Sequence, residues 1–178
     1  MGLIFTPKLS WTKAKSKLAA QARKSIYAIK SYQRSFGNFS HTEYFKLFDS
    51  MVKPILIYGA EIYGTEVSDI LEQVQIQYCK EFLGVNKSVN DCVALGECGR
   101  FPLCIDHHIK CVKYWCKLLC MSEERYPRNC YLMLKRQDDI GRNNWVTSVK
   151  NLLYRYGFGF VWLSQEVGNV NEFILSFK

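Results

Sequence analysis

The first 35 residues contain no Asp and no Glu. The same stretch carries eight bases, Lys8, Lys13, Lys15, Lys17, Arg23, Lys24, Lys30 and Arg34. The rest of the chain holds 16 basic and 16 acidic groups, so the whole net charge of +8 is local. A merely solvated face normally mixes both signs; one without acids points to a polyanionic partner. Long apolar runs are also missing. The longest, Pro54–Ala60 and Tyr156–Leu163, fall far short of the ~20 residues a membrane helix requires, so no membrane partner is expected. Residues 1–9 lack the apolar stretch and small-residue cleavage site of a secretion signal. The eight cysteines therefore read as reduced thiols of an intracellular protein, in cytoplasm or nucleus, with Cys79, Cys111, Cys116 and Cys120 at helical core spacing. A phosphate-binding Gly-rich loop is absent, because Tyr156-Gly157-Phe158-Gly159-Phe160 lacks the required Lys and Ser/Thr. Cys104 and His107 have no orienting third group and no oxyanion motif to make them a nucleophilic pair. No repeat or low-complexity tract is visible.

What is present is a globular composition, 48% apolar and 15% aromatic over 178 residues. Gly2–Thr6 reads as the tail of a β-strand. Ser10 is then the expected N-cap of a helix reaching about Phe36, with Trp11, Ala14, Leu18, Ala22, Ile26 and Ile29 on one stripe. Lys13, Lys17 and Lys24 cluster on the far side, with Arg23, Lys30 and Arg34 in a second row. Ser40-His41-Thr42-Glu43 is a capping box for a second helix, which Pro54 should kink. Ser68 or Asp69 opens a third helix that Gly84 stops. Further helical segments follow around Cys92–Gly96, Ile105–Leu119, Arg128–Gln137, Trp145–Tyr156, Phe160–Glu166 and Asn171–Phe177. The expected fold is mainly α, a helical bundle behind a short truncated strand.

Four ordered stretches resemble LINE-type (non-LTR) retrotransposon reverse transcriptases over roughly residues 2–119. Gly2-Leu3-Ile4-Phe5 followed by Leu9-Ser10-Trp11 is similar to that family's strand-to-helix passage at the palm–thumb boundary. Pro54-Ile55-Leu56-Ile57-Tyr58-Gly59-Ala60-Glu61-Ile62-Tyr63-Gly64 looks like its Pro-apolar-Tyr-Gly-x-Glu-x-Trp-Gly element, with Tyr63 for Trp. Glu97-Cys98-Gly99-Arg100-Phe101-Pro102-Leu103 resembles Glu-Leu-Gly-Arg-x-Pro-Leu, with Cys98 for Leu. Tyr114-Trp115-Cys116-Lys117-Leu118 matches the Tyr-Trp-x-Lys-Leu helix that follows. Met1 stands where the family usually has Leu, as an internal Met taken for a start would.

The resemblance implies a thumb and post-thumb piece of an RNA-directed DNA polymerase, with residues 1–9 as a remnant strand of the palm edge. Residues 10–90 would form a thumb-like helical region and residues 91–178 a post-thumb helical region. It implies a primer–template or other RNA/DNA duplex as partner, together with the absent palm and fingers. Mg2+ would belong to palm aspartates on an aromatic-Ala-Asp-Asp turn, which this sequence does not contain. Asp138-Asp139 has no preceding Ala and no flanking apolar strands, and reads as a solvated helix end. The chain alone is thus expected to be non-catalytic and cofactor-free. Nucleic-acid contact is assigned to Lys13, Lys17, Arg23, Lys24, Lys30 and Arg34. Gly2, Pro54, Tyr58, Gly59, Glu61, Glu97, Gly99, Arg100, Pro102 and Trp115 are assigned structural roles in the family motifs; Arg100 caps carbonyls or reaches phosphate. His107, Lys110, Lys113 and Lys117 form a weaker basic row, read as a solvated face. The alternative is a stand-alone helical nucleic-acid binder, or a structural protein stabilised by zinc through Cys92, Cys98, Cys104, His107, His108 or Cys111. Cys104-x-x-His107 has ligand-like spacing, whereas Cys92 and Cys98 are too far apart for a knuckle.

Overall fold

The computed structural model describes residues 2–7, 10–37 and 39–177, with Phe36 described in its backbone only. Its regular structure is all helical: α1 (Thr12–Phe36), α2 (His41–Leu47), a π-helical turn (Phe48–Val52), α3 (Lys53–Leu56), α4 (Ala60–Tyr63), α5 (Asp69–Leu83), α6 (Asp91–Glu97), α7 (Leu103–Leu119), α8 (Tyr126–Asp139), α9 (Trp145–Arg155), α10 (Gly159–Ser164) and α11 (Val170–Phe177). The mainly α reading holds. The strand expected at residues 1–9 does not appear among the described residues, and Met1, Lys8 and Leu9 lie outside them. A strand is defined by its ladder, and no described residue offers a partner edge. The apolar residues here pack locally instead. Leu3 sits against Gly59, filling the space a Cβ there would need. Phe5 meets Trp11 edge to face at 5.6 Å.

Two compact units divide the chain, residues 1–59 with 67–104, and residues 60–66 with 105–178; one division falls inside α7. In the first unit α1 packs on α5, α3 and the π turn. Ala14, Leu18, Ala19, Ala22, Ile26 and Ile29 are all buried, so the apolar stripe is covered by the chain itself. The helix starts later than the Ser10 cap suggested. Ser10 is held by Thr6, whose hydroxyl accepts its N–H at 2.9 Å, and Trp11 becomes the N-cap. The capping box at Ser40 and Glu43 forms as read. Pro54 has no N–H to give and its ring would crowd the preceding turn. The helix answers by widening, and Lys53 N–H reaches back five residues to Phe48.

An aromatic cluster fills this unit. Tyr44 stacks on Tyr78 at 4.1 Å, and Tyr78 Oη donates to the Tyr44 carbonyl at 2.8 Å. Burial pushes both phenols well above their usual range. Arg100 lies over the rings of Phe45 and Phe48, 5.3 and 5.4 Å from their centres, and pairs through both terminal nitrogens with the Asp49 carboxylate. That hydrogen bonding holds Asp49 below the usual carboxylate range against its partial burial. Glu72, 7% exposed in the first turn of α5, accepts the backbone N–H groups of Leu103 (2.9 Å) and Cys104 (2.5 Å). One buried carboxylate thus caps the start of α7 from a different helix.

The second unit is built around Trp115, Tyr131, Val149, Leu153 and Trp162. Trp115 is fully buried and stacks on Trp162 at 5.9 Å. Its Nε1–H donates to Tyr131 Oη at 3.2 Å; Tyr131 donates to Gln165 Oε1, and Gln165 Nε2 donates to the Trp162 carbonyl, each at 2.5 Å. Polar atoms introduced by the large aromatics are thereby satisfied inside the core. Asn144 caps α9, and Asp138 ties the end of α8 to α9 by accepting from Thr147 Oγ1 at 2.7 Å and Lys150 Nζ at 3.0 Å.

Two predictions follow from these buried carboxylates. Glu72→Gln loses the charge assistance at the α7 cap and should cost about 1–3 kcal/mol in urea unfolding, with helix content unchanged. Asp138 is 5% exposed. Burial acts to raise its pKa, but the hydrogen bonds from Thr147 and Lys150 outweigh burial and lower it. A folded-state value below the unfolded one means its contribution is complete above about pH 4 and fades as pH falls further. Asp138→Asn should therefore be less stable than the parent at neutral pH, and the gap should close on acidification.

Candidate nucleic-acid interface

Burial of six apolar residues fixes how α1 is turned, and the opposite face is left to solvent. At 100° per residue, Lys13, Lys17 and Lys24 fall within about 40° of one another, and Arg23, Lys30 and Arg34 lie in a row beside them. Lys13, Lys17, Arg23, Lys24 and Arg34 are exposed and make no ion pair with a described residue. Between the two rows stand Ser16, Ala20, Ser31 and Tyr27. The small side chains leave the cations standing proud of the surface. The 25-residue helix is about 37 Å long, so a polyanion lying along it could meet charge over most of that length. Its first turn carries no acid to offset the positive helix end.

Lys30 departs from the expected role. Its ammonium is 2.8 Å from Glu81 of α5 and half-buried, so it is already neutralised in part. No local pattern in residues 1–35 could reveal this, since Glu81 is remote in sequence. The sequence reading also missed Tyr27, which is 65% exposed among the cations. An aromatic at an otherwise polar helix position was the available signal.

Several of the residues assigned structural roles in the sequence do hold the fold, and others lie on the surface. Gly59 is in the left-handed region (φ 73°). Glu61 pairs with Lys110 at 3.1 Å and lends its backbone carbonyl to Trp145 Nε1 at 3.1 Å. Gly99 (φ 62°) closes the end of α6, where Arg100 N–H reaches the Leu95 carbonyl at 2.9 Å. Arg100 is engaged by Asp49, which corrects the idea that it is there to reach phosphate. Pro54 widens the preceding turn and Trp115 anchors a core, while Tyr58, Glu97 and Pro102 are exposed and nothing surrounds a Cβ added at Gly2.

The weaker basic row dissolves: His107 is 1% exposed and Lys110 is paired, leaving Lys113 and Lys117 outward. Asp138 is not a solvated helix end, although Asp139 is exposed. No disulfide joins any of the eight cysteines, all of which are described. Cys98 Sγ donates to the Cys79 carbonyl, and Cys111 Sγ to that of Ala60 at 2.9 Å. Burial pushes the Cys111 and Cys116 thiols up to about 12, as expected of packed groups, whereas Cys120 is exposed and not the core thiol its spacing suggested. Among the described residues no three His, Cys, Asp or Glu come together as a metal would need, and no helix is long and apolar enough to cross a membrane.

No protein-family model, curated protein or solved structure matches the chain.

Because the five exposed cations support nothing in the fold, the triple variant Lys13→Glu, Lys17→Glu, Lys24→Glu should stay within about 0.5 kcal/mol of the parent in thermal unfolding.

Proposed function

We propose that this chain is a nucleic-acid-binding thumb and post-thumb part of a LINE-type reverse transcriptase, and that it grips duplex through α1. The observation that carries the reading is the row of five exposed, unpaired cations on a helix face without an acid. Lys and Arg so placed neutralise phosphates and release counterions, and they position a strand without reading its sequence. The resemblance supplies the family. It is supported by the structural work done by Gly59, Glu61, Gly99, Arg100 and Trp115, residues that a motif of architecture should contain. On this reading the protein works inside the cell and the chain does not polymerise by itself. Metal-dependent phosphoryl transfer then belongs to a palm with the carboxylate pair this sequence lacks.

A second reading, a stand-alone helical nucleic-acid binder, is favoured by one observation: the apolar stripe of α1 is buried within its own unit and needs no palm to cover it. Both readings share the same interface. Fluorescence anisotropy with blunt duplex, titrated across salt, tests it. If about four cations meet phosphate at once, the log–log slope should be roughly −3 to −4, with little dependence on base sequence. The triple Glu variant should bind at least tenfold more weakly. Absence of binding at low salt, or an undiminished triple variant, would overturn the assignment.

A further inference from the structure

At the C-terminal end of α1 the basic row runs into a pocket of about 540 Å³, within the size range of small-ligand sites. Lys30, Gln33 and Arg34 enter it from α1, Phe39 from the connecting loop, and Glu81 and Phe82 from the last turn of α5. We propose that this pocket receives one unpaired nucleotide of the strand held along α1, an inference that rests on the duplex-binding reading above. Three features of the wall agree on that ligand class.

The first is charge. Arg34 is exposed and unpaired, and so is free to take a phosphate with its planar guanidinium. Lys30 neutralises Glu81, which would otherwise repel the strand. The second is aromatic surface. Phe39 and Phe82 line the pocket half-buried; Phe82 is packed against Tyr44 and Phe45, which leaves Phe39 as the ring on which a base can stack. The third is the pair of polar groups beside those rings. The Gln33 amide can both donate and accept, and the Glu81 carboxylate accepts only. A bare phosphate would leave the rings unused, and a purely apolar ligand would leave Arg34, Gln33 and Glu81 unsatisfied. A nucleotide uses all three. Gln33 and Glu81 together favour a base with an exocyclic amine, since Gln pairs with the adenine edge and a carboxylate accepts from the cytosine amine.

Position argues for a nucleotide within a strand. Arg23, Lys30 and Arg34 are separated by seven and four residues, the spacing of one helix face. A backbone tracking that row from Arg23 arrives at the pocket after about 16 Å. Paired bases cannot offer their faces to a side pocket, so the site selects the first nucleotide beyond the duplex.

The test compares a blunt duplex with the same duplex bearing a single-nucleotide 2-aminopurine overhang, using the full chain. The overhang should tighten binding by about fivefold or more, and aminopurine fluorescence should be quenched on binding. In Phe39→Ala the ratio between the two affinities should fall to near one. Adenine and cytosine overhangs should outcompete thymine. Equal affinity for blunt and overhanging duplex, or no change in aminopurine fluorescence in the unmodified chain, would overturn the pocket and leave the duplex reading standing. Binding of neither probe would overturn both. Displacement of the overhang by free adenosine monophosphate at equal concentration would overturn the strand assignment, and equal binding of the three bases would overturn the roles of Gln33 and Glu81.

Discussion

Complete burial of one face of α1 is the constraint on which the functional reading depends. Ala14, Leu18, Ala19, Ala22, Ile26 and Ile29 are each no more than 7% exposed, and they recur over most of the helix. Turning the helix by one residue would rotate it about 100°, bring Arg23 or Lys17 into the core and expose Ile29 or Ile26. Burying an unpaired ammonium there costs several kcal/mol, far more than any surface contact could return. The direction in which the cations point is therefore a consequence of packing. Three alanines in the stripe add to this, because they let α1 lie close against its neighbours and leave little space to rock.

The rest of the charge in the molecule is spent differently. Asp49, Glu72, Asp91 and Asp138 each find a specific partner, and each is held near a helix end or a loop by hydrogen bonds as well as charge. Lys80 is typical: it is 6% exposed, paired with Asp91 at 2.6 Å and bonded to the Lys87 carbonyl at 2.8 Å, so it fixes the loop between α5 and α6. Charges of this kind would leave an uncompensated group behind if a partner were removed. Removing any of the five exposed cations of α1 leaves nothing unpaired. They take no part in the ion pairs that hold the described residues together, which leaves them available to the polyanion of the proposed function.

The sequence exposed the helices because their signals are local. The stripe of α1, the capping box at Ser40 and the left-handed Gly84 act within a turn or two, and all appear where the pattern placed them. What the sequence hid is long-range. Ser10 is held by Thr6 and the cap position passes to Trp11, and Lys30 was claimed by Glu81. Arg100 found Asp49, and Asp138 found Lys150. The strand read into Gly2–Thr6 rested on apolar composition and on the resemblance, and apolar residues serve equally well to cover Gly59 and Trp11. His107 looked like part of a basic row because its neighbours at helical spacing are lysines. Spacing cannot say which edge of an amphipathic stripe turns inward.

The same distinction explains why the pocket beside α1 was not legible. Its seven lining residues come from the end of α1, from the loop carrying Phe39, from Tyr44 of α2 and from the end of α5, and only Arg34 and Lys30 belong to a pattern visible in one segment. Lys30 joins the pieces. Its pair with Glu81 removes a cation from the binding row, yet it also cancels the one acid that borders that row. A phosphate approaching Arg34 then meets a nearly neutral Lys30–Glu81 pair instead of a bare carboxylate, while the remaining acceptor capacity of Glu81 stays available to a base amine. On the proposed reading, the contact that takes Lys30 out of the phosphate-binding row also neutralises the acid that lines the pocket.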